Sequence, residues 1–199
     1  MLKKILTVAL ISYSLLMPAL ADPLIRYGSI HQVEIGLDSG GIELELASGE
    51  RRHLFFGPST DGLTPEEQEV QGRYGRMPSI LDVGSQVRVY TNADHFLLGY
   101  RIQQRAPRLW ALILCSIPEA QAQKSDLEGF RRAAMNRLYE ASGRKLALGA
   151  EELRSADFKT LRPGYRIIAM AFSSHAEAKH ALTRARAHGY PDANIRRLW

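Results

Sequence analysis

The stretch from Leu161 to Gly189 constrains this chain most tightly, because it writes a turn, a strand, a capped helix and a helix stop in immediate succession. Pro163 fixes φ at its own position and Gly164 accepts a positive φ at the next, so a turn is predicted there. Tyr165 to Phe172 is an apolar run with Arg166 as its only charge. It is too short for an ordinary helix and is bounded by turn signals, which predicts a strand. Ser174 and Glu177 stand at capping-box spacing, so the serine can bond the N3 amide while the glutamate reaches back. Ala178, Ala181, Leu182 and Ala185 then recur at helical spacing, and Gly189 sits where a left-handed C′ residue belongs. The whole reads as half of a small α/β sandwich.

The same device appears upstream. Leu109 to Cys115 is a continuous apolar run, consistent with a central strand. Ser116 to Lys124 reads as a loop. Ser125 and Glu128 repeat the capping spacing, Leu127, Phe130, Ala134, Leu138 and Ala141 repeat the helical stripe, and Gly143 repeats the stop. A weaker strand near Leu153 to Phe158 and a final one from Ala193 to Trp199 complete the order βαββαβ. That order packs both helices on one face of an antiparallel four-stranded sheet and leaves the other face free. Ala106-Pro107 marks the domain boundary, giving a unit over 105–199.

Charge separates this unit from what precedes it. From Asp22 to Tyr100 there are 6 Arg, no Lys and 12 acidic residues, a net of −6; from Arg101 to Trp199 the net is +9. Such asymmetry argues for two modules with different surfaces. The acidic half, over 22–104, reads as short strands and turns: Tyr27 to Leu37, a hairpin turn at Asp38-Ser39-Gly40-Gly41, Ile42 to Leu46, and Arg51 to Phe56. Thr64-Pro65-Glu66-Glu67 starts a short helix, and Val83 to Tyr90 and Phe96 to Ile102 give two more strands. Three strands, a helical connection and two strands predict a small, partly closed β-barrel, OB-like as first choice and SH3-like close behind. The fold class is therefore α+β. Nucleic acid is disfavoured as a partner, since this half is net negative, has no Lys and shows no row of aromatics next to basic residues.

The first residues carry the pattern of an export signal: Lys3 and Lys4, a largely apolar Ile5 to Met17, and Ala19-Leu20-Ala21. Cleavage after Ala21 is expected, with a periplasmic or secreted location and no stable membrane span, because the apolar run falls short of the roughly 20 residues a spanning helix needs. Cys115 is the single cysteine, so no internal disulfide is expected, and within an apolar run it reads as an inert thiol. No nucleophile motif, metal-ligand pair or paired carboxylate stands out. His31, His53 and His95 are isolated, and His175, His180 and His188 lack the i, i+4 spacing of a helical metal pair. No enzymatic activity, cofactor or metal is expected.

Pro163-Gly164-Tyr165 with its apolar strand, Phe172-Ser173-Ser174-His175-Ala176-Glu177-Ala178 and Gly189-Tyr190-Pro191-Asp192-Ala193, preceded by Ser155-Ala156-Asp157-Phe158, resemble the second half of a SPOR or SPOR-like (sporulation-related repeat) domain. The resemblance covers roughly Arg108 to Trp199. It implies a βαββαβ fold in an exported bacterial protein and binding to peptidoglycan glycan strands through the open sheet face. On the places that such members use for the ligand, Ser116 matches the serine after the first strand, Arg166 the basic residue of the third, and Ile195 the aliphatic residue of the last. Ile113 holds the polar first-strand place and Gly164 the aromatic one. Strand alternation separately places Arg197 and Trp199 on the side of Ile195. The expected ligand-binding set is thus Ser116, Arg166, Ile195, Arg197 and Trp199, and the expected function is non-enzymatic recognition of peptidoglycan or a related cell-wall glycan. The alternative is an envelope protein–protein module, an adaptor or an inhibitor.

Overall fold

The computed structural model describes residues 23–35, 39–57, 61–142 and 149–199; the expected leader at 1–21, the turn residue Asp38 and the helix stop at Gly143 lie outside the described residues. What is described is a mixed α+β structure of nine strands in two antiparallel sheets, with four α-helices. None of these helices is long and apolar enough to cross a membrane.

The first sheet contains β1 (Leu24–Ile35), β2 (Gly40–Leu46), β3 (Arg51–Phe56), β4 (Gln86–Thr91) and β5 (Leu97–Gln104), in the order β3-β2-β1-β4-β5. β1 is long enough to serve two partners: Leu24 to Ser29 pair with β4, and Gly28 to Ile35 pair with β2 across a bulge between Ile30 and Gln32. The sheet is not closed into a barrel. Between its edge strands β3 and β5 the described backbone pairing is limited to an isolated parallel bridge from Phe55 to Phe96, just before β5. Helix α1 (Pro65–Tyr74) joins β3 to β4, and Thr64 and Glu67 form a complete capping box at its start.

A 3₁₀ turn at Ile80–Asp82 packs against β1 and places Ile80 in the core. Asp82 is only 1% exposed, so its charge needs partners. The Tyr100 hydroxyl donates to Oδ2 at 2.7 Å and Arg76 Nη2 at 2.9 Å, while Arg105 Nη1 stands 3.7 Å from Oδ1. Burial, then the Asp82 carboxylate, push the Tyr100 phenol far above its ordinary value, so it acts as a fixed donor.

The second sheet contains β6 (Trp110–Pro118), β7 (Glu151–Arg154), β8 (Tyr165–Phe172) and β9 (Asn194–Arg197), in the order β7-β8-β6-β9. Helices α2 (Glu119–Ala122) and α3 (Leu127–Ser142) follow β6, and α4 (His175–Ala187) follows β8. Gly164 and Gly189 adopt φ of 93° and 96°, the left-handed backbone that the turn and the helix stop require. Local details differ from the sequence expectation. β6 continues to Pro118 and α2 occupies the rest of the expected loop. Asp126, not Ser125, caps α3: the Gly129 amide donates to Asp126 Oδ1 at 2.7 Å, and the Ser125 hydroxyl turns back to the Gln121 carbonyl. Ser174 accepts from the Ala176 amide rather than from that of Glu177.

Alternation sorts the second sheet into two faces. Leu112, Leu114, Ile168 and Met170 pack against Ala134 and Leu138 of α3 and Ala181 and Ala185 of α4. The opposite face, expected to be free, is covered. Ala111, Ile113, Ile167 and Ala169 belong to one contiguous core with Ile30, Val33, Ile80 and Val83 of the first half. The reason is hydrophobic: β6 and β8 are apolar at both parities, and apolar area left in water on the second face would be unfavourable by roughly 25 cal/mol per Å². Polar contacts fix the seam. Glu151 Oε2 accepts from Ser79 Oγ and from the Ile80 amide, both at 2.9 Å, and Gly149 lies so close to β1 that a Cβ there would come within 2.3 Å of the Val33 carbonyl oxygen.

Candidate functional site

The five residues expected to form a ligand face are not assembled on one. Ile195 packs into the helix-covered core. Arg166 Nε is paired with Glu152 Oε1 at 3.1 Å, in a groove whose other arginine, Arg154, is paired with Glu119. Ser116 is exposed and lines a different groove, near Tyr190 and Asn194. Arg197 and Trp199 do meet, but at the chain end: Arg197 Nε donates to the Trp199 carbonyl at 2.8 Å. β9 stops at Arg197, so alternation no longer governs Trp199. Its indole N–H donates to the Ala106 carbonyl at 3.0 Å and its ring stacks near Phe158, which fixes it in the seam between the halves.

A different set is gathered on the outer surface of β1, β4 and β5. Val87 and Val89 turn inward, and the alternate positions Arg88 and Tyr90 turn outward. Cross-strand pairing sets Tyr27 beside Arg88 and Arg88 beside Arg101, and in the next row Ile25 beside Tyr90 and Tyr90 beside Gly99. Gly99 leaves room for the end of α1, since a Cβ there would fall 2.3 Å from the Tyr74 backbone. Tyr74 is thereby laid flat on Tyr90, with ring centroids 4.3 Å apart and planes 1° from parallel.

The charges on this face are arranged by the rings. The Arg88 guanidinium lies over Tyr90 at 5.1 Å and over Tyr27 at 5.9 Å, and that of Arg101 over Tyr74 at 5.9 Å. Among the described residues neither arginine has a carboxylate partner, and Arg88 Nε is buried without a hydrogen bond. β4 and β5 contain no acidic residue, whereas Glu43, Glu45 and Glu50 lie on or beside β2 and β3, pairing Arg51 and Arg52. Glu43, Glu45 and Glu50 thus lie toward the β3 edge of the sheet, and Arg88 and Arg101 toward the β5 edge. The hydrogen bond with Tyr90, then that with Arg73, hold the Tyr74 phenol below its ordinary value, while burial and the same bond push Tyr90 up. Tyr27 is 61% exposed and offers a ring to solvent beside Arg88. Such a surface can stack on a planar or pyranose ring and bond a carboxylate or phosphate at once.

This corrects the expectation that the first half has no aromatics beside basic residues. The array is invisible along the chain because Tyr27, Tyr74, Arg88, Tyr90 and Arg101 come from three strands and a helix end. The one available signal was β4 itself, whose outward parity reads Arg then Tyr.

Two of the histidines have local partners. His53 Nε2 lies 2.8 Å from Glu34 Oε1, poorly aligned for a hydrogen bond, and burial raises the Glu34 carboxyl. His175 stacks on Trp110 with centroids 4.3 Å apart. Burial also pushes the Cys115 thiol up, away from the reactive thiolate. Among the described residues no group of three or more His, Cys, Asp or Glu could hold a metal ion. Comparison of the chain with family models, with curated proteins and with solved structures gave no match.

Proposed function

We propose that this chain is an exported, non-enzymatic binding protein of the cell envelope that recognises peptidoglycan or a related carboxylate-bearing cell-wall glycan. The tyrosine–arginine surface of the first sheet is its contact. The single observation that carries this reading is the pair Arg88 and Arg101, side by side, without a carboxylate partner among the described residues and framed by Tyr27, Tyr74 and Tyr90. A sugar ring on Tyr27 and a carboxylate on the guanidinium groups would satisfy both. Single-stranded nucleic acid would need a longer cationic track than two arginines on a half of net charge −6.

Two finer structural readings accompany the proposal. The strand order β3-β2-β1-β4-β5 with a helix between β3 and β4 supports an open OB-type module. The order β7-β8-β6-β9 with both longer helices on one face supports a SPOR-like second half. In this reading the second half has turned its sheet face inward and the first half carries the ligand surface. An envelope protein partner is the second reading, favoured by Ile25, 46% exposed in the row next to Tyr27.

Co-sedimentation of the leader-free chain with purified, protein-free sacculi tests the proposal. Binding is expected, and is expected to fall about tenfold or more in Arg88→Ala and in Tyr27→Ala, the scale of losing one charge-assisted contact or one stacking platform. No binding, or binding indifferent to both substitutions, rejects the glycan face and leaves the protein partner.

A further inference from the structure

The tyrosine–arginine surface continues for one more row. Outward positions on a strand recur at every second residue, about 6.8 Å apart, so Ser29 follows Tyr27 on β1 and Gln86 precedes Arg88 on β4. Pairing sets Ser29 beside Gln86, and Gln86 beside Gln104 across a register shift. Residues paired in this way share a face. The outer face therefore carries three rows in succession: Ile25 with Tyr90 beneath Tyr74, then Tyr27 with Arg88 and Arg101, then Ser29 with Gln86 and Gln104. Gln86 and Gln104 are exposed, and among the described residues neither side chain has a hydrogen-bond partner. The charges bordering this row are already matched. Glu45, paired with Ser29 across β1 and β2, faces Arg51 at 3.2 Å and His31 at 3.9 Å, and Arg105 stands 3.7 Å from Asp82.

We infer that Ser29, Gln86 and Gln104 form a second subsite, for a neutral sugar ring bearing an amide, beside the carboxylate-bearing ring held by Tyr27, Arg88 and Arg101. The inference rests on the glycan reading above and narrows its ligand to an oligosaccharide in which charged and neutral rings alternate. The two glutamine amides offer donors and acceptors together, which match an acetamido group and ring hydroxyls. A carboxylate on the second ring would meet no unmatched cation in this row and would stand next to Glu45. A chain charged at every ring is therefore disfavoured, by repulsion and by hydration lost without replacement. The row spacing is comparable with one pyranose unit, so consecutive rings occupy consecutive rows when the chain runs along β4.

Calorimetric titration of residues 22–199 separates this inference from the reading it rests on. The probes are N-acetylmuramic acid, the alternating tetrasaccharide of N-acetylglucosamine and N-acetylmuramic acid, neutral chitotetraose, and tetragalacturonate, which is charged at every ring. The alternating tetrasaccharide is expected to bind about tenfold or more tighter than each of the other three, the scale of two added neutral hydrogen bonds or one lost charge-assisted contact. The double variant Gln86→Ala, Gln104→Ala is expected to lose the advantage over N-acetylmuramic acid and to bind that monosaccharide as the parent does, whereas Arg88→Ala weakens both. Both glutamines are exposed, so the double variant is expected to fold, which unfolding curves verify. No gain of the tetrasaccharide over the monosaccharide, equal or tighter binding of tetragalacturonate, or the full gain kept in the double variant overturns the second subsite and leaves the glycan reading standing. No binding by any probe, or binding indifferent to Arg88→Ala, overturns both.

Discussion

The two faces of the β6–β9 sheet come from the same strands and are similarly apolar, yet one is covered by the helices of its own half and the other by the first sheet. The helix-covered face is built on residues close in sequence, so its partners could be named from spacing alone. The sheet-covered face has partners 78 to 139 residues away along the chain, Ile30 and Val33 among them. An apolar strand run fixes that both faces will be buried but says nothing about what buries the second one. Here the cover is the first half, and the second face becomes an internal seam.

The largest effect should come from removing that cover. Expressed alone, residues 105–199 would expose Ile113, Ile167, Ala169 and Leu198, and we expect self-association and strong binding of an apolar dye. A monomeric, dye-silent fragment would instead make the halves independent. Next in size, Ile167→Ala and Ile168→Ala should each lower stability by about 2–5 kcal/mol. Only the first should also speed hydrogen exchange in β1 and β2, because Ile167 lies in the core shared with those strands and Ile168 does not. Equal exchange in both variants would erase the distinction.

Polar contacts give smaller contrasts. Glu151→Ala removes the acceptor of Ser79 and Ile80 across the seam and should lower stability by about 1–3 kcal/mol in denaturant titration. Glu152→Ala, whose pair with Arg166 is part-exposed, should change it by about 0–1 kcal/mol. The smallest effect is pH-linked. The hydrogen bond from Arg131 holds the Glu128 carboxyl below its ordinary 4.5. A lowered carboxyl stabilises the fold fully above pH 4.5 and loses that contribution as pH falls through its lowered value. Thermal unfolding of Glu128→Gln should therefore fall below that of the parent at neutral pH, with the gap closing in acid.

Local structure was legible wherever one residue type has a single conformational use. Pro163-Gly164, Ser174, Gly189 and the Thr64 to Glu67 box all lie at the turns and helix ends their chemistry dictates. The cap of α3 was read one residue early, because Ser125 and Asp126 can both cap and the choice depends on where α2 ends. The expected ligand set failed to assemble for a different reason. Arg166 has the parity of Ile168 and Met170, and Ile195 pairs with Leu112, so both lie on the helix-covered side, and which parity faces the helices is decided by packing that spacing alone does not state. The tyrosine–arginine surface was hidden for the same reason, since strand pairing and Gly99 create it and neither is a local property.

The most direct measurement is an amide chemical-shift map of isotope-labelled residues 22–199 titrated with soluble, peptide-free glycan strands. The account expects saturable shifts at Tyr27, Arg88, Tyr90 and Arg101, with Arg166, Ile195 and Arg197 unmoved. Shifts confined to Arg166, Ile195 and Arg197, with the first set silent, would contradict it and return the ligand to the second sheet.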